Sequence, residues 1–317
     1  MRPLVSLALA FFAVLAHAQE YPARTVCVIS PFSAGGPNDI VARLIAQKLA
    51  ESLGQPFVVD NRPGAGGNLG TDLAAKAPAD GYTLLCAGPG SLILNPLLYK
   101  VPYDTARDFA PVSLVATAPN VLVVHPSVAA KSVRELIELA RTRPGQLNYA
   151  SAGTGSASHF AVALFGAMAR VELAHVPYRG TGPGINDLIS GQVQLAIIGI
   201  PPVLPHLKTG KLRALAVTSK GRSPELPEVP TLDEAGVPGY EMNPWYGLLA
   251  PAGTPRAIVQ RLSAEVSRIV RSAEMREKLA AQSAEPGGGT PVEYAAVIRA
   301  DTAVYARVIK EAGIKAE

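Results

Sequence analysis

The sequence predicts an α/β protein of two lobes, each a mostly parallel sheet flanked by helices, joined by two crossing strands. Short apolar, β-branched runs alternate with longer amphipathic segments along most of the chain. That alternation is the βαβ rhythm of parallel-rich sheets, and uninterrupted apolar runs suit strands covered on both faces. The 317 residues are enough for two cores. Two stretches, 117–121 and 240–248, read as crossings, because a chain that leaves one lobe, builds a second and returns must cross twice. This places lobe 1 at 19–120 with 245–317 and lobe 2 at 121–244.

The candidate strands lie at 25–30, 57–60, 82–87, 121–125, 147–151, 174–178, 193–199, 212–218 and 245–250. Between 38 and 53 Val41, Ile45 and Leu49 repeat at four-residue spacing and Gly54 follows, which predicts a helix with one buried face. Ser132-Val-Arg-Glu135 and Thr290-Pro-Val-Glu293 read as capping boxes. Thr254-Pro255 offers a hydroxyl cap with proline at the first helical position. Residues 254–317 carry almost entirely helical signal.

The first residues predict export. Met1-Arg2 is a positive start, residues 4–15 are apolar and uncharged, and Ala16-His17-Ala18 is a small-x-small cleavage site. This is the pattern of a signal peptide at 1–18, too short for a membrane span. A protein soluble in the periplasm after cleavage is expected. Hydrophobic residues make up 48% and charged residues 17%, the composition of a globular chain. The net charge is +4, and the basic residues are scattered, which argues against a nucleic-acid partner. Cys27 and Cys86 both sit in apolar runs and read as buried free thiols; two cysteines cannot make a zinc cluster. His125, His175 and His206 lack metal-ligand spacing, so neither metal nor cofactor is expected.

Two stretches carry the chemistry. In Ser30-Pro-Phe-Ser-Ala-Gly-Gly-Pro-Asn-Asp39 a strand ends, glycines turn the chain and a helix begins. The unpaired N–H groups and dipole of a first helical turn attract anions. Phe32, Ala34, Gly35, Gly36, Asn38 and Asp39 are its candidate ligand-binding residues. Asp39 reads equally as a partner for a ligand amine or as favourable charge at a helix start. The second stretch, Tyr149-Ala-Ser-Ala-Gly-Thr-Gly-Ser-Ala-Ser-His159, repeats this design. It offers Ser151, Gly153, Thr154, Gly155, Ser156 and His159. Neither turn contains Lys or Arg, so backbone N–H groups, hydroxyls and dipoles would hold an anion, between seats contributed by opposite lobes. Ser91 in Gly88-Pro-Gly-Ser91, and Tyr178 with Asp187 around a third Gly-rich loop, complete the candidate set. Nucleotide motifs are incomplete: Gly153-Thr-Gly155 lacks the third glycine, and no phosphate-loop pattern occurs. Ser156 and His159 lie three apart, but there is no nucleophile elbow and no orienting acid, so a hydrolase is the weaker reading.

An ordered set of motifs resembles one family. Pro31-Phe-Ser-Ala-Gly-Gly-Pro-Asn-Asp39, Asn61-Arg-Pro-Gly-Ala-Gly-Gly67, Asp80-Gly-Tyr-Thr83, Tyr149-Ala-Ser-Ala-Gly-Thr-Gly-Ser156 with His159, His175-Val-Pro-Tyr-Arg-Gly180, Leu215-Ala-Val-Thr218, Pro230-Thr231, Gly236-Val-Pro-Gly239 and Ala250-Pro-Ala-Gly-Thr-Pro255 span the mature chain. The chain is similar to the substrate-binding receptors of tripartite tricarboxylate transporters, the Bug or TctC-like family. The resemblance implies a type II-like periplasmic binding protein, a Venus flytrap closing on a small carboxylate. It implies that the loops at 31–39 and 151–159 hold a ligand carboxylate, partly through water. Amino-dicarboxylates, di- and tricarboxylates and aromatic acids are the ligand classes implied. Transient permease partners, a monomer and no enzymatic activity are expected; a ligand sensor is the alternative role. Asn38 stands where the family often has Thr, and Arg179 where Lys is common.

Overall fold

The computed structural model describes residues 21–312; the signal-peptide expectation at 1–18 lies outside them. The chain opens with β1 (Val26–Ser30), α1 (Pro37–Leu53), β2 (Phe57–Asn61), α2 (Asn68–Ala75) and β3 (Thr83–Ala87). A π-helical turn, Gly90–Leu94, runs into α3 (Asn95–Leu98), followed by α4 (Thr105–Asp108) and β4 (Phe109–Thr117). The second lobe holds β5 (Asn120–Val124), α5 (Val133–Thr142), β6 (Asn148–Ser151), α6 (Ala157–Ala169) and β7 (Ala174–Pro177). It continues through α7 (Thr181–Ile189), β8 (Leu195–Gly199), α8 (Ile200–Lys208) and β9 (Arg213–Val217). The chain returns through β10 (Trp245–Pro251), α9 (Arg256–Val270), α10 (Ala273–Ala280), β11 (Glu285–Gly288) and α11 (Pro291–Ala312).

The strands form two sheets, a six-stranded one in the order β11-β4-β10-β3-β1-β2 and a five-stranded one in the order β7-β6-β8-β5-β9. β1 pairs in parallel with β2 and β3, and β6 with β7 and β8. The pairs made by β4, β5, β10 and β11 are antiparallel. The expectation of mostly parallel sheets is therefore corrected: each sheet is mixed. The parallel pairs carry the βα loops, and the antiparallel strands are the ones that leave, cross or return.

Local chemistry explains the elements. Val41, Ile45 and Leu49 of α1 are fully or almost fully buried, and Gly54 ends the helix with φ 71°. Each such side chain contributes about 1.5–3 kcal/mol by leaving water. Ser132 accepts the Glu135 N–H and caps α5. Thr290 and Glu293 complete a reciprocal box, with N–H to side-chain oxygen bonds of 2.7 and 3.2 Å. Thr254 does not cap α9. Its hydroxyl donates back to the Pro251 carbonyl at 2.7 Å, and Pro255 takes the cap position.

Cys27 faces Thr83 across the β1–β3 ladder, so Cys86 sits three residues further along and on the opposite sheet face. Three residues span about 10 Å of strand, beyond disulfide reach. Both thiols are free, and burial pushes Cys86 up to about 12. The crossings are tied together: Ala118 N–H donates to the Pro244 carbonyl, and Thr218 N–H to that of Asn120, both at 2.9 Å. Among the described residues no helix is long and apolar enough to cross a membrane.

Candidate functional site

The carboxyl ends of β1, β3, β6 and β8 lead into loops that meet between the lobes. There they line a half-open cavity of about 70 Å³. Its lobe 1 wall is Phe32, Gly36, Pro37, Asn38, Gly88, Pro89 and Gly90, with Tyr246 from β10. Its lobe 2 wall is Ala152, Ser156, Ala157, Ser158, Thr181, Ile198 and Gly199, and Asn120 and Pro244 come from the crossings. No Lys, Arg, His, Asp or Glu lies in this wall.

Helix starts supply the polarity. Pro37 opens α1, Ala157 opens α6, Thr181 opens α7, and Gly199 caps α8. Four positive dipole ends thus converge on one hollow. Asn38 is locked in its wall. Its amide donates to Ser30 Oγ and to the Cys86 carbonyl, both at 2.9 Å, and its Oδ1 is buried without a partner. The Thr181 hydroxyl is likewise buried and unpartnered.

The loops satisfy many of their own donors. Gly35 N–H donates to Asp39 Oδ2, Ala152 N–H to Ser158 Oγ, Gly153 N–H to Ser151 Oγ and Gly155 N–H to His159 Nδ1. Ser156 Oγ accepts the His159 N–H, the bond of a helix cap. The first-turn N–H groups of Asn38 in α1, Ala157 and Ser158 in α6, and Thr181 in α7 have no partner within their own helices. These four, from both lobes, lie in the cavity wall.

The expected residues divide accordingly. Phe32, Gly36, Asn38 and Ser156 line the cavity. Ala34 and Gly35 stand exposed beyond its rim. Asp39 is buried, and burial pushes its carboxyl up. Its bonds to Arg43, the Gly35 N–H and Asn61 outweigh burial and hold it below the usual range. Ser91 follows Gly90 but lies outside the wall, its hydroxyl buried without a partner. Ser151, Gly153, Thr154, Gly155 and His159 form the frame behind the lobe 2 wall. Tyr178 bonds Asp187 at 2.6 Å; burial first, and that carboxylate second, push its hydroxyl up to about 12. Both stand apart from the cavity wall.

Asn120, Thr181, Ile198, Pro244 and Tyr246 were not singled out beforehand as ligand-binding residues. Thr181 lies in the third Gly-rich loop and was within reach. The others sit at strand ends and crossings, where only tertiary placement reveals a role.

The lobes touch directly around the cavity. Ser33 Oγ donates to the Arg179 carbonyl. A Cβ on Gly66 would come 2.1 Å from the Thr154 carbonyl oxygen, and one on Gly155 would come 1.6 Å from Asn95 Oδ1. Side chains there would hold the lobes apart.

A two-lobed α/β protein with an uncharged cavity between strand-end loops is a solute-binding receptor of the periplasmic-binding-protein class. The model of the tripartite tricarboxylate transporter family receptor, TctC, matches residues 41–314, and the chain belongs to that family. Protein BugT of Bordetella pertussis is 39% identical over 314 residues, covering 98% of this chain and 96% of that one. A protein from the tcbD–tcbE intergenic region of Pseudomonas sp. strain P51 is 42% identical over 315 residues, covering 98% and 94%. Among solved structures, R. palustris Rpa4515 with adipate superposes with TM-score 0.90 at 44% identity, covering 93% of this chain and 99% of that one. MatC of Rhodopseudomonas palustris with bound malate gives 0.87 at 36%, covering 91% and 100%.

Proposed function

We propose that this chain captures a small carboxylate in the periplasm and presents it to the permease subunits of a tripartite transporter, without catalysing a reaction. The observation that carries the reading is the set of first-turn main-chain N–H groups, from α1 in lobe 1 and from α6 and α7 in lobe 2, around a half-open cavity free of cationic side chains. A carboxylate there is met by helix dipoles and charge-assisted bonds that strengthen as closing lobes expel water. The adipate and malate held by the two similar structures support the ligand class. In this reading residues 1–18 direct export, the lobes comprise 19–120 with 245–317 and 121–244, and the protein acts as a monomer. Gly36, Asn38, Ser156, Ala157, Ser158 and Thr181 touch the ligand, and Phe32, Ile198 and Tyr246 shape its enclosure.

The test uses protein stripped of ligand by unfolding and refolding. Adipate, malate, glutamate, citrate and benzoate are screened by thermal shift and calorimetry. One member is expected to bind at one site per chain and to raise the melting temperature. Failure of every acid to shift it counts against the reading. Turnover of ester or amide substrates that Ser156→Ala abolishes overturns the non-enzymatic assignment.

A further inference from the structure

We propose that His159 is a positioning residue that shapes the lobe 2 anion loop only while its ring is neutral, so that ligand capture is linked to proton release. The inference rests on the proposed carboxylate site and names how that site is held and regulated.

Gly155 N–H donates to His159 Nδ1 at 3.0 Å. A main-chain N–H can only donate, so Nδ1 presents a lone pair and the ring proton sits on Nε2. A second proton, on Nδ1, removes that acceptor and sets two donors against each other. The consequence reaches across the cleft. Gly155 lies against the Asn95 side chain of lobe 1, and Asn95 Nδ2 donates to the Gly66 carbonyl at 3.1 Å. Gly155 has φ +80°, and a Cβ there would meet Asn95 Oδ1 at 1.6 Å. The segment His159 fixes is thus the one on which the lobes close.

A second imidazole reinforces the arrangement. The rings of His159 and His175 stack with centroids 4.2 Å apart and planes 15° apart, and Tyr149 stacks on His175 at 4.9 Å. His175 Nε2 lies 2.6 Å from Ser151 Oγ, which accepts the Gly153 N–H. Two imidazolium rings at this spacing would repel. The titratable rings stacked on His159 are His175 from β7 and Tyr149 from β6. Of the other groups packed on α6, β8 and the Gly90–Leu94 turn carry no titratable side chain, α11 directs Tyr305 at Phe160, Tyr240 donates to the Ala161 carbonyl, and Arg141 of α5 donates to that of Ala169.

The test compares wild type with His159→Asn, which places an untitratable acceptor near the Nδ1 position, and His159→Leu, which has none. Adipate and malate affinities are measured by calorimetry between pH 8 and pH 5.5. Wild type is expected to lose about tenfold or more on acidification, across the range where histidines gain protons. His159→Leu is expected to lose about tenfold or more even at pH 8, leaving a buried donor unpaired. His159→Asn recovers most of that loss and follows only the ligand's own titration. Equal pH profiles for wild type and His159→Asn overturn the inference while leaving the receptor reading intact. Should wild type bind neither acid at pH 8, the receptor reading fails for these probes, and nitrogen-15 NMR of the ring still decides. The Nε2–H form at pH 8 supports the inference, and the Nδ1–H form refutes it.

Discussion

The hydroxyl of Ser33 donates to the carbonyl oxygen of Arg179, joining the first loop of lobe 1 to the third loop of lobe 2. The contact fits because the next residue is Gly180, with φ +124° and only 2.6 Å between a built Cβ and Ser33 Oγ. Gly180→Ala should therefore prop the cleft open. Only the closed fraction binds tightly, so adipate affinity should fall about tenfold or more. Melting temperature in the absence of ligand should also fall, because a side chain at this φ is strained whatever room it has. Calorimetry and scanning calorimetry measure both; wild-type affinity in the variant contradicts the direct contact.

Thr181 tests the electrostatics of the cavity. An acidic residue suits the first turn of a helix, so Thr181→Asp should leave α7 folded. The new carboxylate faces the proposed anion, and affinity should drop about a hundredfold, since opposed like charges cost several kcal/mol. Thr181→Val, which removes the hydroxyl but adds no charge, should cost less. Equal losses in the two variants would show that charge is not what the wall senses.

Asp39 should act on stability before binding. Its side chain is 4% exposed and holds Arg43, the Gly35 N–H and Asn61. Its folded value is depressed, so the stabilisation is complete above the unfolded carboxylate range. It drains away as pH falls through the lower folded value. Asp39→Asn should cost about 1–3 kcal/mol at pH 7. The gap to wild type should narrow in urea unfolding at acid pH; a gap that widens on acidification refutes the assignment.

The thiols should be inert in the folded protein. Cys86 is fully buried and its thiol is pushed up to about 12. Native iodoacetamide treatment should leave it unmodified, and reductant should not change the melting temperature. A mass shift at Cys86 below the unfolding transition contradicts this packing.

The fold was legible wherever pattern and burial agree. All nine expected strands are present, because runs such as 195–199 are apolar throughout and buried throughout. β4 and β11 were missed for local reasons. Pro111 and Ser113 interrupt the apolar run of β4, and its pairing with β10 carries register shifts. β11 reads Glu285-Pro-Gly-Gly288, a turn composition that becomes a strand only because β4 offers a free edge. Three of the four helix starts at the cavity, at Asn38, Ser156 and Thr181, are visible as strand–glycine–helix signals. Asn120 and Tyr246 are not, since nothing local distinguishes a strand-end residue that lines a cleft from one that does not.

In the proposed reading the chamber meets its guest with helix ends rather than cationic side chains. Pro37, Pro89, Ile198, Pro244 and Tyr246 therefore set contour without setting charge. Such walls can be recut one residue at a time, deeper or narrower, while the pull on an acid persists. One scaffold can thereby serve a repertoire of acids that differ in length and bulk.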